Sequence, residues 1–317
     1  MYLEGNPMKN QIQAANHNFI GAMMVLAAAV TVSSKAIMVK LAYAYPVDAI
    51  TLIALRMLFS APFFIILALW VRASTDAPII SRRDGWIILV IGVLGGYGPM
   101  WLDFAGLAYV SAGLERVILF LYPTLVVLIT AIVFKQRISK REIFALIATY
   151  AGVALVVGHD LTALKTSASG TMIGVALVAA SAFVYAVYLV FSGRIIPRVG
   201  SLQFTAYSML AATIASGLHF ATTTHTVSVM HLPAQVYWLS LLMAVVATVL
   251  PAVLLNAGIH RIGSNKASLV ASVGPVSTIL LAYIFLGEAI TWLQLAGTAL
   301  VLLGILVIVK PKQPPIV

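Results

Sequence analysis

Five ionisable side chains stand inside long apolar runs of this sequence: Lys35, Arg56, Asp103, Glu115 and Arg116. An ionisable group in apolar surroundings is costly, and it is kept where it pairs or binds something. A guanidinium holds a carboxylate through two parallel hydrogen bonds, so Arg56 suits the acid end of a small solute. Asp103 or Glu115 suits an amine or a coupling proton. Three positive and two negative groups together fit a zwitterion such as an amino acid. The alternative is a set of structural ion pairs, with Asp103 and Glu115 neutralising Arg56, Lys35 and Arg116 and touching no ligand. Lys35 and Arg116 are also long enough to snorkel towards an interface.

Aromatic side chains form a second group of candidates. Tyr97, Trp101, Tyr122, Tyr185, Tyr188 and Tyr283 all lie within apolar runs. A tyrosine hydroxyl out of water needs a partner, so some of these face a polar cavity, while packing is the competing role for each. The sequence contains no Cys and only 6 His, scattered without metal-ligand spacing. Thiolate chemistry and Cys metal sites are thereby excluded, and neither a metal nor a cofactor is expected.

The elements that must position these groups follow from composition. Of 317 residues, 62 % are hydrophobic and 9 % charged, and the mean hydropathy is +1.05. A soluble globule must show a polar exterior, which this composition does not supply. A bilayer crossing needs about 20 apolar residues. Ten runs approach that length: roughly 19–41, 47–71, 86–106, 112–134, 143–158, 171–191, 202–221, 236–257, 267–286 and 289–309. Membrane strands would alternate apolar and polar residues, and these runs do not. The expectation is an all-α polytopic membrane protein of ten transmembrane helices. The polar stretch Met1–Asn18 does not read as a cleaved signal.

Charge placement sets the orientation. With the N-terminus inside, fourteen of the 19 basic residues fall on inner segments, from Lys9 through Arg72, Arg141 and Arg198 to Lys312. Three (Lys40, Arg116 and Lys165) fall on outer ones, and Lys35 and Arg56 lie within spans. This positive-inside asymmetry makes both termini cytoplasmic. It also accounts for the formal charge of +10, so the basic excess predicts a lipid bilayer as partner rather than nucleic acid. Trp70, Trp86, Trp238 and Trp292 fall at span ends, where indoles favour the headgroup layer.

A shift of 152 residues lays the chain on itself: Trp86 meets Trp238, Pro99 meets Pro251, Gly106 meets Gly258, Pro123 meets Pro275 and Gly152 meets Gly304. The expected organisation is a tail 1–18, a first repeat 19–158, an outer linker 159–169, a second repeat 170–309 and a tail 310–317. Each repeat holds five helices, and an odd number makes the two halves inverted. Inverted repeats place a substrate site near the membrane midplane and give two related conformations, one open to each side. Pro99, Pro123, Pro251 and Pro275 each remove a backbone hydrogen bond, which lipid tolerates against protein or a water-filled cavity. They are the kink and gating candidates. The run Gly95-Gly-Tyr-Gly sits inside a span without a neighbouring Lys-Ser/Thr and is not a phosphate loop.

The frame repeats but the charges do not. Arg56 meets Ser208, Asp103 meets Leu255, Glu115 meets Ala267 and Arg116 meets Ser268. Arg56 lies about 13 Å along its span from the outer end, at about 1.5 Å per residue, and the other four lie in the outer half. Glu288 falls in the short outer turn before the last span, as a solvated cap.

With Arg56 in Leu-Ile-Ala-Leu-Arg-Met-Leu-Phe-Ser-Ala, Pro123 in Leu-Tyr-Pro-Thr-Leu, and Gly274-Pro275 leading to Phe285-Leu-Gly-Glu288, the chain resembles an EamA-type member of the drug/metabolite transporter superfamily over about residues 19–309. In the first half the Gly-Glu pair is replaced by Lys135-Gln136, a departure from the pattern. The resemblance implies a ten-helix carrier in a bacterial inner membrane, often an exporter of amino acids or other small metabolites, with a central cavity and with protons or a counter-solute as coupling partners. An intramembrane lipid-modifying enzyme would need a clustered acid, His or metal site. A channel would need a ring of repeated polar groups. The sequence shows neither pattern.

Overall fold

The computed structural model describes residues 7–74, 78–163, 168–223, 229–262, 267, 270–271 and 273–309, and among them no strand occurs. The longer helices are α1 (Pro7–Ala42), α2 (Ala49–Ala73), α3 (Arg82–Ile91), α4 (Gly98–Leu107), α5 (Ala112–Leu119), α6 (Tyr122–Phe134) and α7 (Lys140–Ala163). They continue as α8 (Ala168–Val199), α9 (Ser201–Thr222), α10 (Ala234–Ala244), α11 (Leu250–Ile262), α12 (Gly274–Leu286) and α13 (Trp292–Val309). Side chains at the loop ends start them. Asp48 accepts from Thr51 N, Ser81 from Asp84 N and Ser111 from Leu114 N, each satisfying one of the orphan donors of a first turn.

Seven helical segments are long and apolar enough to cross a bilayer: Asn18–Ala42, Ala49–Ala73, Arg82–Leu107, Ala112–Phe134, Lys140–Gly158, Ser169–Val199 and Ala234–Ile259. The remaining three expected runs correspond to α9, α12 and α13. α9 is less apolar because Gln203, Ser208 and Ser216 lie on its buried face. α12 and α13 are shorter apolar helices of 13 and 18 residues. α7 continues past the expected end at Gly158 to Ala163, and α8 continues through Arg194 and Arg198 to Val199. Lys165, Lys266, Lys310, Lys312 and His225 lie outside the described residues.

The helices are not uniform, and their irregularities fall at matching places. A π-turn at Gly92–Tyr97 precedes α4, and another at Val245–Val249 precedes α11. Pro99 and Pro251 each stand second in the helix that follows. Pro123 and Pro275 likewise stand second in α6 and α12. Pro123 and Pro275 begin helices after a turn, where a proline lacks only a donor that would be orphaned anyway, whereas Pro99 and Pro251 follow a π-turn within the continuous segments Arg82–Leu107 and Ala234–Ile259. α6 and α12 both end on a left-handed residue, Lys135 (φ 52°) and Gly287 (φ 67°), which the same offset of 152 relates. Glycine holds that conformation freely, whereas at Lys135 the Cβ opposes it.

Close packing also repeats. A Cβ on Gly106 of α4 would stand 2.6 Å from Val178 and 3.2 Å from the Gly174 carbonyl of α8. A Cβ on Gly258 of α11 would stand 2.5 Å from Val25 and 2.9 Å from the Gly21 carbonyl of α1. Gly152 of α7 and Gly304 of α13 seat against the Gly297 and Ala145 carbonyls in the same way. Small residues let backbones meet in lipid, where burial of leucine against leucine gains little over leucine against an acyl chain. Gly106→Val forces α4 and α8 apart and is expected to destabilise the fold by about 1–3 kcal/mol, read as a lowered thermal midpoint in detergent. Gly217→Ala, at a site with nothing within 4 Å, is expected to hold or raise that midpoint.

Candidate functional site

A cavity of about 490 Å³ lies between α1, α2, α4, α5, α8 and α11. Its polar wall is made by Lys35, Arg56, Asp103 and Arg116, and its aromatic wall by Tyr122, Tyr185 and Tyr188. Four of the five charged residues singled out by sequence therefore meet in one space. Glu115 does not line it. Its side chain is fully buried directly behind that wall.

Lys35 is the hinge of the cluster. Its Nζ donates to Asp103 Oδ2 at 2.5 Å and to Glu115 Oε1 at 3.3 Å. One lysine on α1 thus joins a carboxylate on α4 to a carboxylate on α5. Asp103 Oδ1 and Glu115 Oε2 are buried and have no hydrogen-bond donor. Arg116 lies on the other side of the same turn. Its guanidinium sits 5.0 Å from the centroid of the Phe120 ring and 3.5 Å from Ser33 Oγ, and its Nε has no partner. Ser33 Oγ in turn lies 2.7 Å from the Ala29 carbonyl and 2.9 Å from the Gly274 carbonyl, which share its one hydrogen, and Gly274 leaves room for the guanidinium where a Cβ would stand 2.9 Å from Nη2.

Arg56 occupies a separate position. It is 6 % exposed. Nε and Nη2 both donate to Thr248 Oγ1, at 3.1 and 2.9 Å, and the guanidinium lies 5.6 Å from the Phe104 ring centroid. Among the described residues no carboxylate lies within ion-pair distance of it. Thr248 sits in the second π-turn, where its hydroxyl donates to the Met243 carbonyl at 2.9 Å. A π-turn carbonyl misaligned with the backbone ladder accepts readily from such a side chain.

The aromatic candidates divide. Tyr122, Tyr185 and Tyr188 form a continuous row, with centroids 5.2 and 5.8 Å apart, extended by Phe204 at 6.0 Å. Tyr97 and Trp101 do not line the cavity. The Tyr97 hydroxyl bonds His219 Nδ1, and Trp101 meets the same imidazole edge-on at 5.7 Å. Both tie the α3–α4 segment to α9. Tyr283 faces outward, 57 % exposed. Pro99 and Pro251 line the cavity, while Pro123 and Pro275 start the helices beside it.

Sequence reasoning did not single out Thr248, Ser33, Ser181 or His219. Ser181 donates to the Pro99 carbonyl at 2.7 Å across α8 and α4. A hydroxyl or imidazole in an apolar run carries too weak a signal to be separated from helix-internal bonding. Glu288, expected as a solvated cap, instead accepts from the backbone N–H of Ala112 and Gly113 at 2.9 and 3.2 Å. It closes the N-terminus of α5 from the loop after α12, with the sign a helix N-terminus favours. A second cavity of about 680 Å³ opens there, lined by Lys40, Tyr43, Asp48 and Glu288.

Lys35→Met would leave both carboxylates without their shared cation, and such an uncompensated buried charge costs about 3–5 kcal/mol. The expected result is a large drop in thermal midpoint in detergent. Adding Glu115→Gln to that variant is expected to recover much of the loss, which a double-mutant cycle measures.

Residues 19–158 and 172–310 match the EamA-like transporter family. The uncharacterized transporter YcbK of Bacillus subtilis is 33 % identical over 87 % of this chain and 88 % of its own length. A probable amino-acid metabolite efflux pump of Salmonella typhimurium is 25 % identical over 69 % of this chain and 75 % of its own. A probable terminal-alkyne amino-acid exporter of Streptantibioticus cattleyicolor is 46 % identical, but over 18 % of this chain and 19 % of its own length. A solved protein structure superposes with a TM-score of 0.63 at 20 % identity, covering 91 % of this chain and 96 % of that one, which shows the fold. This chain is a multi-pass membrane protein and belongs to the EamA-like transporter family.

Proposed function

We propose that the chain is a secondary transporter that exports small zwitterionic metabolites such as amino acids, by alternating access at the cavity between its halves. The observation that carries this reading is Arg56. A guanidinium in a cavity, held by one threonine hydroxyl and one ring face with no carboxylate among the described residues within ion-pair distance, keeps donors free for a solute's acid group. Asp103 offers the opposite charge on the same wall. The aromatic row supplies the apolar side of the space. The relatives named as an amino-acid exporter and an amino-acid metabolite efflux pump support that substrate class. The same family membership favours transport over an enzymatic activity.

The finer architecture belongs to this proposal. The bundle has ten spans, with α9, α12 and α13 completing the seven longer ones, in two inverted halves. Support comes from the offset of 152, which relates the π-turns, the prolines, the left-handed helix ends and the glycine contacts. Both termini lie in the cytoplasm of a bacterial inner membrane, on the side where Arg72, Arg82, Arg141 and Arg198 gather.

The test is efflux of labelled amino acids from cells with and without the protein. Loss of a desolvated charge partner costs about 2–5 kcal/mol of binding, so Arg56→Ala is expected to lower efflux by at least about tenfold. Full efflux from Arg56→Ala at normal expression removes Arg56 from the mechanism. An unchanged profile for the whole screen removes amino acids as the substrate class.

A further inference from the structure

A third recess, of about 450 Å³, lies between α3 and α8. Trp86 and Val90 of α3, Leu94 of the first π-turn, and Val184, Val187 and Phe191 of α8 wall it, and none of its lining side chains is charged. Both walls belong to segments long and apolar enough to span a bilayer, Arg82–Leu107 and Ser169–Val199. Trp86, Val90, Leu94 and Phe191 are exposed, so the recess opens to hydrocarbon. Its floor is Gly95 and Tyr188, which also line the charged cavity. Water does not fill so apolar a space, and an empty groove forfeits dispersion contacts along its lining. A flexible acyl chain can fill it, over about 12 Å from Trp86 to Leu94 at about 1.5 Å per residue.

The groove ends among basic side chains. α3 and α8 carry Arg82, Arg83, Arg194 and Arg198 against one acidic residue, Asp84. All four arginines are exposed. Arg83 stands one turn before Ile87, and Arg198 stands two turns after Phe191, so each groove-forming face ends on a guanidinium. Arg198 bonds Asp84 Oδ1 at 3.0 Å, which joins the two helix ends, and Arg194 lies 3.6 Å from the Phe134 ring centroid. The basic patch alone would suit any anion, and the groove alone would suit any acyl chain. A molecule that joins the two chemistries matches both at once.

We propose that the α3–α8 groove binds an anionic phospholipid, with one acyl chain along Trp86–Leu94 and the phosphate held at Arg83 and Arg198, flanked by Arg82 and Arg194. The site needs only the membrane-spanning fold and stands whether or not export is the function. Guanidinium groups hold phosphate oxygens through paired hydrogen bonds, and beside an anionic lipid each basic side chain contributes about fivefold in affinity. The acyl chain lies against Tyr188, which is seated so closely over Gly95 that a Cβ there would stand 2.4 Å from the ring. Tyr188 ends the row of Tyr122, Tyr185 and Tyr188. The lipid thus backs the aromatic wall of the cavity from the bilayer side.

The test is native mass spectrometry of the purified full chain in detergent, titrated with phosphatidylglycerol or with phosphatidylcholine of identical acyl chains. Phosphatidylglycerol is expected to bind at least about fivefold more tightly and to raise the thermal midpoint. Arg82→Gln combined with Arg83→Gln is expected to weaken it by about 25-fold and to leave phosphatidylcholine unchanged. Lysine at both positions is expected to restore most of that loss. Val90→Trp, which fills the groove, is expected to weaken both lipids, and Arg141→Gln, on α7 outside the groove, is expected to change neither. Should the double variant fail to fold, Arg83→Gln and Val90→Trp carry the test singly. Equal affinity for the two lipids, or binding that Val90→Trp leaves intact, overturns the site. Full displacement of the lipid by millimolar glycerol 3-phosphate reveals an anion patch without acyl docking and also overturns it. A dimer that Val90→Trp dissolves makes a second copy of the chain the occupant and overturns it as well.

Discussion

Hydrocarbon offers a helix little reward for hiding a leucine, so this bundle depends on what lipid cannot provide: backbone-to-backbone contact and buried polar bonds. The tightest contacts are made where glycine removes the side chain. They join α1 to α11, α4 to α8 and α7 to α13. Each of these pairs takes one helix from before residue 164 and one from after residue 167. Several polar bonds do the same, although the Lys35 cluster lies wholly before residue 164. Ser33 reaches Gly274, Ser181 reaches Pro99, Arg56 reaches Thr248 and Glu288 reaches Ala112 and Gly113. The cavity therefore lies along a seam held by close glycine contacts and a few directed bonds, together with buried apolar clusters that draw on helices from both sides of it. Such bonds have discrete arrangements and can be exchanged for others, which a continuously packed interior resists.

The seam is symmetric in backbone and asymmetric in charge. The two π-turns, the two cavity prolines and the two left-handed helix ends correspond. The ion cluster has no counterpart, because Ser208, Leu255, Ala267 and Ser268 stand where Arg56, Asp103, Glu115 and Arg116 would map. The charged wall of the cavity comes from residues before 164, and Thr248, Pro251 and Leu255 lie on the facing wall. Thr248 illustrates the division. It lies in the second half, and its hydroxyl steadies the arginine of the first.

Helix breaks make this possible. A straight helix satisfies every backbone group internally and presents nothing to a solute. At Gly92–Tyr97 and Val245–Val249 the ladder widens, and the proline that follows each turn lines the cavity. The row of Tyr122, Tyr185 and Tyr188 packs against the first of these turns, with Tyr188 seated over Gly95. A larger residue at Gly95 would displace that ring. Backbone irregularity, glycine and aromatic wall are thus one arrangement.

The sequence by itself determined the helical membrane class, the proline positions and which charged residues lie within apolar runs. Those features rest on periodicity, on the bilayer's length requirement, on proline and on the high cost of charge in lipid, all of which act locally along the chain. It also showed the offset of 152, since matched Trp, Pro and Gly are rare enough to register. It did not show that Glu115 stands behind Asp103 rather than in the cavity wall, that Lys35 holds both, or that Arg56 stays clear of every carboxylate in the described structure. Nor did it show that Tyr97 and Trp101 turn to His219, or that Glu288 caps a helix 175 residues away. Those outcomes depend on which side chains converge from different helices. In an all-apolar run no hydrophobic stripe records which face of a helix turns inward, so only the packing decided how the charges are paired.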